Sequence, residues 1–353
     1  MSHSYIPRQG LRRDPPDSRD FLYQDLFGAG EVSQPDWQTG FSLYDQLGIA
    51  PLAYDQGLSS SCVAQATASH LRAWHKQLTN EDIDFSRRFI YSQISAGLNA
   101  GASLRDGVQL VATIGDCPES TVASYEQGRP PSESFMYSQE WMSEAVFDEA
   151  RRFDQFSYRV IPGQTTDIDL FAHAIRNNCG AVGGFTLTVQ GWSLPLVRIP
   201  QAGEQRGSHA VFLSGFGMYE GKKCLFTKNS WGGRYTIAEG RWRGYQAISE
   251  DYFLAAENTA VGPVLGAHVF NTWVLVPDRQ LTPNLRLMDF LRRNEGKLVQ
   301  DSQQSGAIGV VVGGKIMVAR PERLAQLIAT YLVRKEGVGV PRDLWNAAPK
   351  QDV

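Results

Sequence analysis

The stretch Tyr54-Asp55-Gln56-Gly57-Leu58-Ser59-Ser60-Ser61-Cys62-Val63-Ala64 decides how this chain is read. A loop rich in Gly and Ser delivers one cysteine to the start of a helix. From there Val63, Ala64, Thr67, Ala68, Leu71, Trp74 and Leu78 recur at three- and four-residue steps, the period of one buried helical face. A helix is therefore predicted to begin at or just before Cys62. Its first-turn amides have no partners within the helix, and the summed peptide dipoles place positive potential there, so a thiolate is favoured over a thiol. Cys62 is a candidate nucleophile on that ground.

A cysteine nucleophile needs a base, a group that orients the base, and donors for the oxyanion formed when it attacks a carbonyl. His209 lies in Gly207-Ser208-His209-Ala210-Val211, at the head of a predicted strand, and Asn229 lies in Lys228-Asn229-Ser230-Trp231-Gly232, at the end of the next. Two antiparallel neighbours would bring them together, with the Asn side-chain carbonyl accepting from the imidazole and holding its tautomer. Trp231 would roof that hydrogen bond against water. Gln56, six residues before Cys62, can aim its amide at the same point as the Cys62 backbone amide.

In these pieces and their order, Gln, Cys, His, Asn, the chain resembles a papain-like cysteine peptidase. The 147 residues from Cys62 to His209 and the 167 to Asn229 fit that family's spacing. The resemblance covers roughly residues 51–277 and implies a two-lobed α+β fold, a helical lobe beside an antiparallel barrel-like lobe. It implies catalytic Cys62, His209, Asn229 and Gln56, a polypeptide substrate and no cofactor or metal. Gly101 is expected to pair with extended substrate, with Gly183, Gly184 and Trp231 bordering the substrate. The chain departs from the family in Ser59-Ser60-Ser61-Cys62-Val63, which lacks the disulfide cysteine before the nucleophile and the aromatic residue after it. Leu11 to Asp20 resembles the N-terminal segment of bacterial members without the long propeptide, so control by a short N-terminal strap, or none, is expected. Two rivals stay open: the same site run as a peptide ligase, deamidase or acyl transferase, and a catalytically silent binding protein.

Hydrophobic content of 42% and charged content of 20% are those of a globular chain, and a net charge of -3 favours neither nucleic acid nor an anionic membrane surface. Cys62, Cys117, Cys179 and Cys224 make no CxxC pair, which speaks against zinc and a disulfide scaffold. No signal peptide or membrane span is expected, and the cytoplasm is the expected setting.

Three segments are expected: an extended N-terminal segment over 1–50, the peptidase-like domain over 51–277, and a βα appendage over 278–353. Helices are predicted over Phe85–Ser95, Ser103–Ile114, Ser138–Phe153 and Asp167–Asn178. Strands are predicted over Ala181–Val189, His209–Gly217, Lys223–Asn229 and Val269–Val276. In the appendage, Thr282 to Arg293 and Pro321 to about Lys335 read as helices around a hairpin that turns at Gly313-Gly314. From Arg279 onward there are 12 Lys and Arg against 7 Asp and Glu, so this basic tail could dock a protein partner. Gly309 to Lys315 fits G-x-x-x-x-G-K, but Ile316 replaces the Ser or Thr that would hold magnesium and a strand is predicted to follow, which argues against a nucleotide loop.

Overall fold

The computed structural model describes residues 10–15, 17, 20–26, 33–260, 262–280, 291, 297–301, 308–312, 315–319, 334–340 and 350–352. The helix predicted from the apolar spacing runs over Cys62–Thr79, with Asn80 in the left-handed conformation ending it and donating its N–H to the Lys76 carbonyl. Val63, Ala64, Thr67, Ala68, Leu71 and Trp74 are buried along it, while Leu78 is half-buried. Leu71 and Trp74 each contribute roughly 2–3 kcal/mol by leaving water. Cys62 is the first helical residue, so its thiol is fixed to the end of a buried rod.

Around this helix pack Arg87–Ile94 and Leu104–Thr113, each opened by a serine, Ser86 and Ser103, whose hydroxyl accepts a first-turn amide. The long helix predicted over Ser138–Phe153 is instead a short helix Glu144–Ala150 and a 3-10 turn Arg151–Phe153, and a separate helix Glu133–Tyr137 precedes it. Serines punctuate the run: Ser132 caps the first piece and Ser138 ends it. The remaining helices are Leu43–Leu47, Ile168–Asn177, Val189–Trp192 and Glu250–Leu254. The Leu43–Leu47 helix interrupts the N-terminal segment read from sequence as extended; Ser42 caps it and Gly48 ends it.

The strands are β1 Leu11–Arg12, β2 Phe41–Ser42, β3 Ala102–Ser103, β4 Phe156–Ile161, β5 Ala181–Thr188, β6 Arg206–Tyr219, β7 Lys222–Thr227, β8 Gln246–Ser249, β9 Ala256–Thr259, β10 Gly262–Leu265 and β11 Val269–Pro277. A sheet runs β4-β11-β5-β6-β7-β8, with β2 also pairing β6. The β5/β6, β6/β7 and β7/β8 pairs are antiparallel, so the predicted second half is a sheet as read. Register puts Phe185 opposite His209 and Gly184 opposite Ala210. The chain is mixed helix and antiparallel sheet, the expected α+β class.

Residues 20–276 fall in one compact unit together with residues 1–16, and residues 277–353 fall in a second with 17–19. In the second unit β12 Lys297–Asp301, β13 Ile308–Val312, β14 Lys315–Ala319, β15 Arg334–Val340 and β16 Lys350–Asp352 form a sheet ordered β15-β12-β13-β14-β16. The β13/β14 hairpin joins Val312 to Lys315 as predicted, and the strand after Lys315 leaves no helix for a nucleotide loop. The helices predicted from Thr282 and Pro321 lie outside the described residues, save that Leu291 is helical and that Arg334 and Lys335 open a strand and not a helix end. Val338 and Val340 suit the strand, which pairs in parallel with β12.

Candidate active site

His209 sits near the head of β6, and Asn229 sits two residues beyond the end of β7. Antiparallel pairing of these strands brings the side chains together: Nε2 of His209 lies 2.7 Å from Oδ1 of Asn229. The orientation is fixed by a relay of amides. Gln246 Nε2 donates to the Trp192 and Leu194 carbonyls at 2.7 and 2.8 Å, and Gln246 Oε1 accepts from Asn229 Nδ2 at 2.9 Å. Asn229 therefore presents Oδ1 to the ring, so a neutral His209 carries its proton on Nε2 and leaves Nδ1 as the basic nitrogen. That Nδ1 is buried and has no hydrogen-bond partner among the described residues.

The Trp231 ring stacks on the imidazole at 4.7 Å between centroids with 27° between planes, and Trp192 meets it edge-on at 5.6 Å. Both indoles are buried. Trp231 was expected both to roof the His209–Asn229 bond and to border the substrate, and it lies with one face against the imidazole that makes this bond. Trp192, Gln246 and Ser230 were not singled out in the sequence. No local motif marks the first two, because the sheet alone carries them to His209.

The backbone amides of Ala210, the residue after His209, and of Gly10, Val63 and Cys62 itself lie close enough to Cys62 Sγ to favour its charged form. Ser61, the N-cap, makes no side-chain capping bond, so the helix end keeps its positive potential beside the sulfur. Gln56 is held beside this turn: its N–H donates to the Ser230 carbonyl at 2.9 Å, Oε1 accepts from Ser230 Oγ at 2.6 Å, and Nε2 donates to the Ser59 carbonyl at 2.8 Å. The segment bearing Gln56 thus runs beside the segment bearing Asn229, with Asp55 bridged to Trp231.

The groove in front of Cys62 is filled by the chain itself. β1 lies parallel to β3, with Leu11 opposite Ala102, and Ala102 N donates to the Gly10 carbonyl at 2.8 Å. Ser208 Oγ, next to His209, donates to the Leu11 carbonyl at 2.6 Å. Farther on, Asp14 accepts from Trp273 Nε1, Asn271 Nδ2 and Arg105 N at 2.7, 3.0 and 3.0 Å, and Asp20 pairs with Arg105. Of the glycines expected to line a substrate, Gly101 faces this strand: a Cβ there would fall 2.0 Å from the Gly10 oxygen, and its φ of +65° suits only glycine well. A Cβ on Gly184 would meet Leu11 Cδ2 at 2.8 Å and Leu104 Cδ1 at 3.0 Å, so Leu11 fills the apolar space beside it. Gly183 does not border that space; strand alternation turns it toward Leu213 and the Phe185 ring.

This seat decides the charges. Cys62 and His209 are both fully buried. Burial pushes the Cys62 thiol up to about 11 against the opposing pull of the four amides. Burial likewise lowers His209 to about 4, with the Asn229 bond working in the other direction. Loss of water thus works against the thiolate that the helix terminus favours.

No family model and no curated protein matches the sequence. The fold does have relatives among solved structures. Xylellain, a cysteine protease from Xylella fastidiosa, superposes with a TM-score of 0.57 at 21% identity, over 77% of this chain and 98% of that one. Digestive procathepsin L2 from the larval midgut of Tenebrio molitor superposes with a TM-score of 0.53 at 18% identity, over 76% of this chain and 78% of that one. The fold is that of the papain-like cysteine proteases.

Proposed function

We propose that this chain is a papain-like cysteine peptidase that rests with its N-terminal segment across its own site. The observation that carries the reading is the seating of Gly10–Arg12, an extended piece of polypeptide, between Gly101–Ser103 and Ser208 with its backbone at the Cys62 sulfur. A groove that holds one peptide strand by its backbone at a sulfur beside the His209–Asn229 pair suits peptide bonds better than a small metabolite.

In the reaction, a substrate strand displaces Gly10 and Leu11 and places its scissile carbonyl over Cys62. His209 Nδ1 takes the thiol proton as sulfur attacks the carbonyl carbon. The carbonyl oxygen, now negative, is stabilised by the Cys62 amide and the Gln56 side chain. The same proton passes from His209 to the leaving amine as the C–N bond breaks. His209 then takes a proton from water, whose oxygen attacks the thioester and frees the acid and Cys62. Asn229 holds the ring throughout, and Trp231 keeps water from that hydrogen bond.

Treatment with a peptidyl epoxide, followed by mass-spectrometric mapping, tests the assignment. Cys62 should be labelled and Cys117, Cys179 and Cys224 should not, with labelling lost in His209→Ala. A Cys62 no more reactive than the other three would favour the silent binding protein. Ligase, deamidase and acyl-transferase readings are told apart from hydrolysis by the products released from a defined peptide.

A further inference from the structure

We infer that Glu133 is a positioning residue that sets the width of the slot through which a peptide backbone passes at Cys62. This deepens the peptidase reading and rests on it. Glu133 opens the Glu133–Tyr137 helix and is buried. Its Oε2 accepts from the backbone N–H of Ser60 at 2.6 Å, and its Oε1 accepts from the backbone N–H of Asn99 at 2.8 Å and from the Tyr91 hydroxyl at 2.5 Å.

The two backbone partners belong to opposite walls. Ser60 precedes the nucleophile by two residues, and Asn99 precedes Gly101, the residue against which the strand in the groove lies. Gly10 is wedged between them: a Cβ on it would fall 1.8 Å from the Ser60 oxygen, and a Cβ on Gly101 would fall 2.0 Å from the Gly10 oxygen. The slot is one backbone wide. Both of its walls are tied to a single carboxylate.

A carboxylate suits this post because all three partners can donate, and ionised acceptors make the stronger hydrogen bonds. The local sequence explains the need. Ser59-Ser60-Ser61 offers no cysteine for a disulfide, and the Asn99 loop is shaped by turns of its own, Ala100 N to Gly97 O at 3.0 Å and Ala96 N to Gly101 O at 3.0 Å.

The test uses the full chain and two readouts. In Glu133→Gln one oxygen becomes an NH2 group, and of the three partners only the Tyr91 hydroxyl can turn to accept. The remaining oxygen should keep Ser60, and the Asn99 amide should exchange its hydrogen about tenfold faster or more, the loss expected for a hydrogen bond to a charged acceptor. Glu133→Ala should speed exchange at both Ser60 and Asn99, and Tyr91→Phe at neither. Wild-type protection of either amide in Glu133→Ala overturns the clamp.

The second readout is the rate at which Cys62 reacts with a peptidyl epoxide relative to iodoacetamide, which is too small to touch Gly101. Preference for the peptidyl reagent should fall about tenfold in Glu133→Gln while the iodoacetamide rate holds within a few fold. Equal losses with both reagents mean a merely structural residue and overturn the positioning role. If wild-type Cys62 prefers neither reagent over Cys117, the peptidase reading fails, and the exchange rates alone decide whether Glu133 ties the walls.

Discussion

Replacing Gly10 with Ala should unseat the N-terminal segment and expose Cys62. An added Cβ would lie 1.8 Å from the Ser60 carbonyl oxygen and 2.4 Å from its carbon, both backbone atoms that cannot rotate away. Ordinary contacts between such atoms lie near 3.5 Å, so the strand must move by more than an ångström. That displacement breaks the bond from Ala102 N to the Gly10 carbonyl and carries Leu11 away from Ser208. The local hold to be lost is two hydrogen bonds, about 1 kcal/mol each, and the burial of one leucine, about 2 kcal/mol. Roughly 4 kcal/mol corresponds to a lifted population near one in a thousand in the native chain, rising to a majority in Gly10→Ala. The assay is the second-order rate of Cys62 carbamidomethylation at pH 7, mapped by mass spectrometry, with Cys117, Cys179 and Cys224 as buried internal controls. A rise of at least tenfold is expected at Cys62, with about a thousandfold as the ceiling. Equal rates in the two proteins would refute the idea that this strand limits access.

In the Gly10→Ala background, Gln56→Ala should lower kcat for a peptide amide on the order of 100- to 1000-fold with KM little changed, since the oxyanion exists only at the transition state; a loss confined to KM would deny Gln56 that role. Trp231→Ala should admit water to the His209–Asn229 bond, and the acid limb of kcat/KM should move toward the usual histidine range, an unshifted limb arguing against the shielding role. Burial holds His70 at about 4, as it does His209. Both folded-state values lie below that of an exposed histidine, so between pH 6.5 and 4 the unfolded chain binds more protons and stability falls as pH falls. Each ring should cost roughly 3 kcal/mol over that window. His70→Gln, whose amide can still donate to the Asn178 carbonyl, should lose about 3 kcal/mol less on acidification in urea unfolding; identical losses would contradict the assignment.

The pieces legible in the sequence were those written in local patterns. The apolar spacing after Cys62 encodes a helix whatever surrounds it, and the strand bearing His209 declares itself by its Val, Phe and Leu content. That Asn229 meets His209 followed from two neighbouring strands with a tight connection, Tyr219 to Lys222, which admits only antiparallel pairing. Trp192 and Glu133 could not be found this way. Trp192 follows a strand by four residues and Glu133 follows two prolines by two, and neither setting announces what the side chain will meet. Long-range packing, not spacing, makes them part of the site. The place of Gly183 was illegible for a related reason: of two adjacent glycines on a strand only one can face the Leu11 side, and sequence does not say which.

Two effects compete for the charge state of the pair, and only one of them is local. A helix terminus favours an anion by about 0.3 to 1 kcal/mol at an exposed site, up to about 2 when partly buried. Removing the site from water costs a charged group far more, and here both sulfur and imidazole are fully buried, the imidazole against Trp231 and Trp192 and the sulfur beside Gly10, some fifty positions before Cys62. The sequence around Cys62 encodes the first effect; the second depends on where Gly10 and Leu11 come to rest. Lifting the strand removes the covering backbone but leaves the amides of Cys62, Val63 and Ala210 where they are. The balance should then move toward thiolate and imidazolium, so access and nucleophile activation would arrive in one motion. Titrating Cys62 alkylation against pH in Gly10→Ala separates the two contributions. A midpoint well below 11 marks activation, whereas a faster rate with an unmoved midpoint means the strand blocks entry and nothing more.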